Sequence, residues 1–98
     1  MNMLNQKSPA ALGKNLINES NVKLIFGLKL RQLRQDKRLL LTELSKLSGI
    51  SISYLNEIEK GKKFPKAHKI ASLAEALGVS YDWLISLQLK QGLAPVSK

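Results

Sequence analysis

Cysteine is absent from the 98 residues, and histidine occurs once, as His68. Disulfides and thiolate chemistry are thereby excluded, and a single imidazole has no second one with which to share a metal ion, so no metal or other cofactor is expected. Carboxylates are scarce as well, with seven Asp plus Glu set against sixteen Lys plus Arg for a formal net charge of +9. That balance favours a polyanionic partner, either nucleic acid or an anionic membrane surface. Long apolar runs are missing: stretches such as Leu39–Leu41 and Val22–Phe26 fall far short of the roughly 18 residues that a spanning helix needs. The opening MNMLNQKSPAALGK also lacks the apolar region of a signal peptide. A cytoplasmic chain with no membrane partner is the expectation, and 98 residues leave room for one compact core.

What is present has helical spacing. Residues 1–21 are rich in Asn, Gln, Ser, Pro and Gly and read as an arm, with Leu12, Leu16 and Ile17 spaced as one amphipathic turn. From Val22 to Lys37 the apolar residues Leu24, Ile25, Leu28, Leu30 and Leu33 recur at steps of three and four among Arg31, Arg34, Gln35 and Arg38, which predicts a first helix. Leu44 and Leu47 mark a second over about 41–48, stopped by Gly49. Ser51 is a suitable cap for a third, whose buried stripe is Tyr54, Leu55 and Ile58 and which ends before Gly61. Pro65 stands at the entrance of a fourth, carrying Ile70, Leu73, Ala74 and Leu77 on one face, and Ser80 caps a fifth, SYDWLISL. No run alternates with period two. The fold class expected is all-α, with residues 22–89 as the domain and 90–98 as a tail.

Several function classes find no support in this pattern. There is no glycine-rich phosphate cradle of the nucleotide-binding type, and His68 has no recognisable nucleophile or carboxylate to act with, so an enzyme is not expected. The two short helices joined by LSGIS, the second capped by a serine and presenting a polar face, are the parts of a helix-turn-helix reader of DNA over about 41–60.

The wider sequence sharpens this reading. The segments LKLRQLRQDKRL, LTELSKLSGIS, YLNEIEKGKKFP and IASLAEALGVSYDWL, between Leu24 and Leu87, resemble the XRE family of phage repressor and Cro-like helix-turn-helix domains. Arg34, Gly49, Glu59, Gly61, Pro65, Gly78 and Trp83 stand at the separations that this resemblance requires. It implies a five-helix, lambda-repressor-like bundle with an N-terminal arm. It also implies a structural ion pair between Arg34 and Glu59, a guanidinium being able to hold a carboxylate by two parallel hydrogen bonds. Tyr54 and Trp83 fall at family packing positions, which disfavours a stacking platform for single strands.

On a helix starting near Ser51, positions 52, 53, 56, 57 and 60 share the face opposite Leu55 and Ile58. Ile52 can pack on a thymine methyl, Ser53 can reach bases or a phosphate, Asn56 can bond an adenine edge, and Glu57 can accept from a cytosine amino group. Glu57 either reads cytosine in this way or discourages wrong sites; the competing reading is that it points into solvent or pairs with a nearby lysine. Lys60, Lys62 and Lys63 flank Gly61 as phosphate contacts. The chain departs from the family at Leu40 and Leu41, where a polar cap and a glutamine are common, so Thr42, Lys46 and backbone N–H groups at that helix start are the candidates to replace a familiar phosphate contact.

The function expected is that of a sequence-specific double-stranded DNA-binding transcriptional regulator, a repressor by preference, working as a homodimer on a palindromic operator. Trp83, Leu84, Leu87 and Leu89, or else Leu12, Leu16 and Ile17, are the candidate dimer surfaces. Two rivals stand beside it: an antitoxin-like module whose main partner is another protein and which binds DNA for autoregulation, and a binder of structured RNA or of nucleic acid in general.

Overall fold

A computed structural model describes residues 18–86 as five helices, with no strand among them: α1 (Glu19–Asp36), α2 (Leu41–Ser48), α3 (Ile52–Glu59), α4 (Ala67–Leu77) and α5 (Tyr81–Ile85). None of these is long and apolar enough to cross a membrane. The helices start where side chains satisfy the first free amides: Asn18 accepts from Asn21 N–H, Ser51 from Tyr54 N–H and Ser80 from Trp83 N–H. Asn18 thus opens α1 at Glu19, and the last residues of the stretch read as arm belong to the helix. Leu12, Leu16, Ile17, Leu87 and Leu89 lie outside the described residues.

The core is built from Phe26, Leu30 and Leu33 of α1, Leu44 of α2, Ile50 of the turn, Leu55 and Ile58 of α3, Ile70, Leu73, Ala74 and Leu77 of α4, and Leu84 of α5. Each of the Leu, Ile and Phe side chains removed from water is worth about 1.5–3 kcal/mol. The α1 stripe differs from the sequence expectation. Leu24 and Leu28 are 48% and 52% exposed, and the inward face runs instead through Phe26, Gly27, Lys29, Leu30 and Leu33. Leu84 is wholly inside the bundle, which removes it from the candidate dimer surface.

Gly27 explains the register of α1. A β-carbon at this position would lie 2.3 Å from the Ile58 carbonyl oxygen and 2.9 Å from that of Glu59. Only a glycine lets the backbones of α1 and α3 approach so closely, and the cost of a helical glycine, about 1 kcal/mol, is accepted for that contact. Two turns further along, Arg34 Nε donates to Glu59 Oε2 at 2.7 Å and Nη2 donates to Oε1 at 2.9 Å, while Nη1 donates to the Leu39 carbonyl at 2.8 Å. The side chains of the pair are 11% and 5% exposed. The hydrogen bond to Glu59 raises the pKa of the guanidinium further, against the opposing effect of burial.

A second cation is enclosed on the other side of α1. Lys29 is 1% exposed, and its ammonium donates to the carbonyl of Trp83, to the Ser86 carbonyl at 3.0 Å and to Ser86 Oγ at 2.7 Å, with the Trp83 ring centroid 4.0 Å away. Burial lowers its pKa from the ordinary lysine value. Three oxygens and an indole face compensate the lost hydration and gather the C-terminal end of the five-residue α5 against α1.

Removing one partner of the Arg34–Glu59 pair leaves the other charge buried and is expected to cost about 3–5 kcal/mol. In thermal unfolding of Arg34→Met, Glu59→Gln and the double variant, the double is expected to lose less than the sum of the singles. Additive losses would show that the pair does not couple α1 to α3.

Candidate nucleic-acid interface

The turn between α2 and α3 is closed by its own small polar residues. Ser45 Oγ donates to the Ile50 carbonyl at 2.6 Å, Ile50 N–H donates to Ser48 Oγ at 3.2 Å, and Gly49 N–H donates to the Ser45 carbonyl at 2.8 Å. Ile50 anchors this turn in the core. The angle between the two helices is therefore held from within, and α3 is held again from below by Gly27 and Arg34.

On α3 the side away from Leu55 and Ile58 carries Ile52, Ser53, Asn56, Glu57 and Lys60. Ile52, at 43%, remains exposed along with Ser53 and Lys60, whereas Asn56 and Glu57 are half-buried. An exposed isoleucine beside a serine and an asparagine offers both a surface for a methyl group and donor and acceptor atoms for base edges. No carboxylate stands in the first turn of α3.

The loop that follows is shaped by the end of the helix. Gly61 N–H donates to the Ile58 carbonyl at 3.0 Å and Lys62 N–H to the Glu57 carbonyl at 2.9 Å, the paired bonds of a Schellman turn, with Gly61 at φ +78°. A side chain at Gly61 would be strained there and would also press on Leu24, 2.5 Å from Cδ2. Folded back in this way, the loop brings Lys63 Nζ to 3.6 Å from Glu57 Oε1. Lys63 and Lys69 also stand over the Tyr54 ring, 5.8 and 5.6 Å from its centroid. Lys60, Lys62 and Lys63 are all exposed.

At the start of α2, Thr42 and Lys46 are exposed one helical turn apart. Leu40, 65% exposed, gives no side-chain cap; Glu43 reaches back and accepts the Leu40 N–H at 2.8 Å. Of the amides considered for phosphate binding at this helix start, that of Leu40 is thus already engaged. His68 is exposed in the first turn of α4, and no group of three or more His, Asp or Glu capable of holding a metal occurs among the described residues.

Two features were not foreseen from the sequence. Lys69, the third residue of α4, shares the Tyr54 ring with Lys63, and Glu43 accepts the Leu40 N–H at the start of α2. The second had a signal, since a glutamate three residues after a helix start is half of a capping box. The first had none, because the approach of α4 to Tyr54 depends on how the Lys63–Lys66 segment turns.

Comparison with known proteins agrees with this geometry. Residues 27–90 match the family described as a helix-turn-helix domain. The HTH-type transcriptional repressor RghR of Bacillus subtilis is 41% identical over 61 residues, which is 61% of this chain and 45% of that protein; the chain thus spans about half the length of this relative. Among solved structures, the restriction-modification controller protein C.AhdI from Aeromonas hydrophila is 35% identical with a TM-score of 0.62, over 63% of this chain and 94% of that one. The clp gene regulator ClgR from Corynebacterium glutamicum is 35% identical with a TM-score of 0.64, over 69% of this chain and 72% of that one. With the turn, the buried side of α3 and the α1–α3 crossing all in place, the chain belongs to the XRE family of helix-turn-helix domains.

Proposed function

We propose that this chain is a cytoplasmic, sequence-specific reader of double-stranded DNA that regulates transcription, as a repressor, by placing α3 in the major groove of an operator. The observation that carries the reading is the strip of Ile52, Ser53 and Asn56 turned away from a fully buried side of the same helix, with exposed lysines at its end. In this reading Ile52, Ser53, Asn56 and Glu57 meet base edges, while Thr42, Lys46, Lys60, Lys62 and Lys63 meet phosphates. Relatives that are transcriptional regulators support it.

Duplexes selected from a random library provide the test. Against the selected duplex and a scrambled one, the Ser53→Ala, Asn56→Ala variant is expected to lose discrimination, each useful base contact being worth roughly 1–3 kcal/mol. Lys60→Ala with Lys62→Ala is expected to weaken both duplexes alike and to flatten the salt dependence. Equal losses on both duplexes for the Ser53, Asn56 variant would show that these side chains do not read sequence.

One helix reads too few base pairs to find a site in a genome, so two copies on half-sites about 34 Å apart complete the proposal. Leu84 being internal, Ile85 is the exposed apolar residue that α5 offers to a partner copy. Sedimentation at saturating protein is expected to find two chains per palindromic duplex. One chain per duplex would contradict dimeric reading.

A further inference from the structure

A carboxylate in the middle of a phosphate-binding surface is repelled by DNA, and Glu57 sits on the strip of α3 proposed above to face the groove. Its position relative to Lys63 is not left to two floppy side chains. The Schellman turn through Gly61 ties Lys62 N–H to the Glu57 carbonyl itself, so the lysine next in the chain is delivered to the glutamate's side of the helix. The Tyr54 ring then lies under Lys63 at 5.8 Å and narrows where its ammonium can rest. Both members of the ion pair remain partly exposed, 52% for the Lys63 side chain and 40% for that of Glu57, and their separation of 3.6 Å is long for a charge-assisted hydrogen bond. Exposed pairs of this kind are weak and easily exchanged. The buried Arg34–Glu59 pair, held by two short bonds, is the opposite case in the same helix.

We propose that Glu57 is a specificity-determining residue that works through exchange of Lys63. In the free protein, and on a duplex of the wrong sequence, Lys63 stays with Glu57, so that one cation of the loop is withheld from the phosphates. On a duplex that offers a hydrogen-bond donor at this place in the groove, such as a cytosine amino group, Glu57 accepts from the base and Lys63 is released to the backbone. The carboxylate thus weakens binding to every sequence that lacks the donor, which is discrimination by penalty rather than by added attraction.

This inference rests on the DNA-reading function proposed above, and a cycle of four proteins tests it: the full chain, Glu57→Gln, Lys63→Ala and the double variant. Each is titrated with random duplex and with the library-selected duplex over a series of salt concentrations. On random duplex, Glu57→Gln is expected to bind more tightly by roughly an order of magnitude near 0.1 M salt, with a salt slope steeper by about 0.9, the value of one additional neutralised phosphate. With Lys63 already replaced by Ala, the same substitution is expected to give little of that gain. On the selected duplex it is expected to gain less than on the random one, so that discrimination falls. A gain of equal size with and without Lys63, or no gain on random duplex, overturns the proposal. Wild-type chain that fails to distinguish the two duplexes sinks the underlying reading instead. Both sites are on the surface, and unchanged thermal unfolding of all four proteins separates these outcomes from a loss of fold.

Discussion

The crossing of α1 and α3 is made by contacts that admit little variation. At Gly27 the two backbones approach so closely that a single methyl group would meet two carbonyl oxygens. Beyond it, Arg34 grips Glu59 with two hydrogen bonds and spends a third on the Leu39 carbonyl, so one guanidinium joins α1, the end of α3 and the link into α2. A backbone contact fixes distance and a planar, bidentate pair fixes rotation. The exposed side of α3 is therefore defined by what its hidden side touches, and the turn of Ser45, Ser48 and Ile50 has only to agree with an orientation already set.

The positive charge of the chain is used in three different ways. Arg34 is neutralised inside, as a strut. Lys29 is enclosed without any carboxylate and is satisfied by carbonyls, a hydroxyl and an indole ring, which makes it a clamp for α5. The lysines after α3 are left in solvent, where displacement of counterions from a duplex would reward them. The two glutamates of α3 follow the same division. Glu59 is buried and paired tightly, and Glu57 is half-exposed and paired loosely, although only one residue separates them; the helical step of about 100° per residue carries them to different sides.

Much of this fold was legible because the signals were local. Ser51 and Ser80 as caps, Gly49 as the end of α2 and the stripe Ile70, Leu73, Ala74, Leu77 need only neighbouring residues to be read, and they hold in the structure. The face of α1 was not legible in that way. Its sequence is apolar on several sides, and counting leucines selected Leu24 and Leu28, whereas tertiary packing selected Phe26, Leu30 and Leu33 around a glycine that contributes no hydrophobicity at all. Lys29 was invisible for a related reason: a lysine is read as surface unless the acceptors that will surround it are known, and these come from residues more than fifty positions away. At the interface, the composition of α3 indicated which residues share a side. It left open whether Glu57 stands alone or pairs with a lysine, since that depends on the path of the loop after Gly61.

Every functional role proposed for this chain depends on α3 being the surface that meets DNA. Backbone amide chemical shifts of the full chain, followed while a library-selected duplex is added, test this without altering a residue. The largest changes are expected at Ile52, Ser53, Asn56 and Glu57, with further changes at Thr42 and through Lys60–Lys63, and small ones at Leu24 and Leu28. Largest changes on the outer side of α1 and on α5, with Ser53 and Asn56 unmoved, would contradict it.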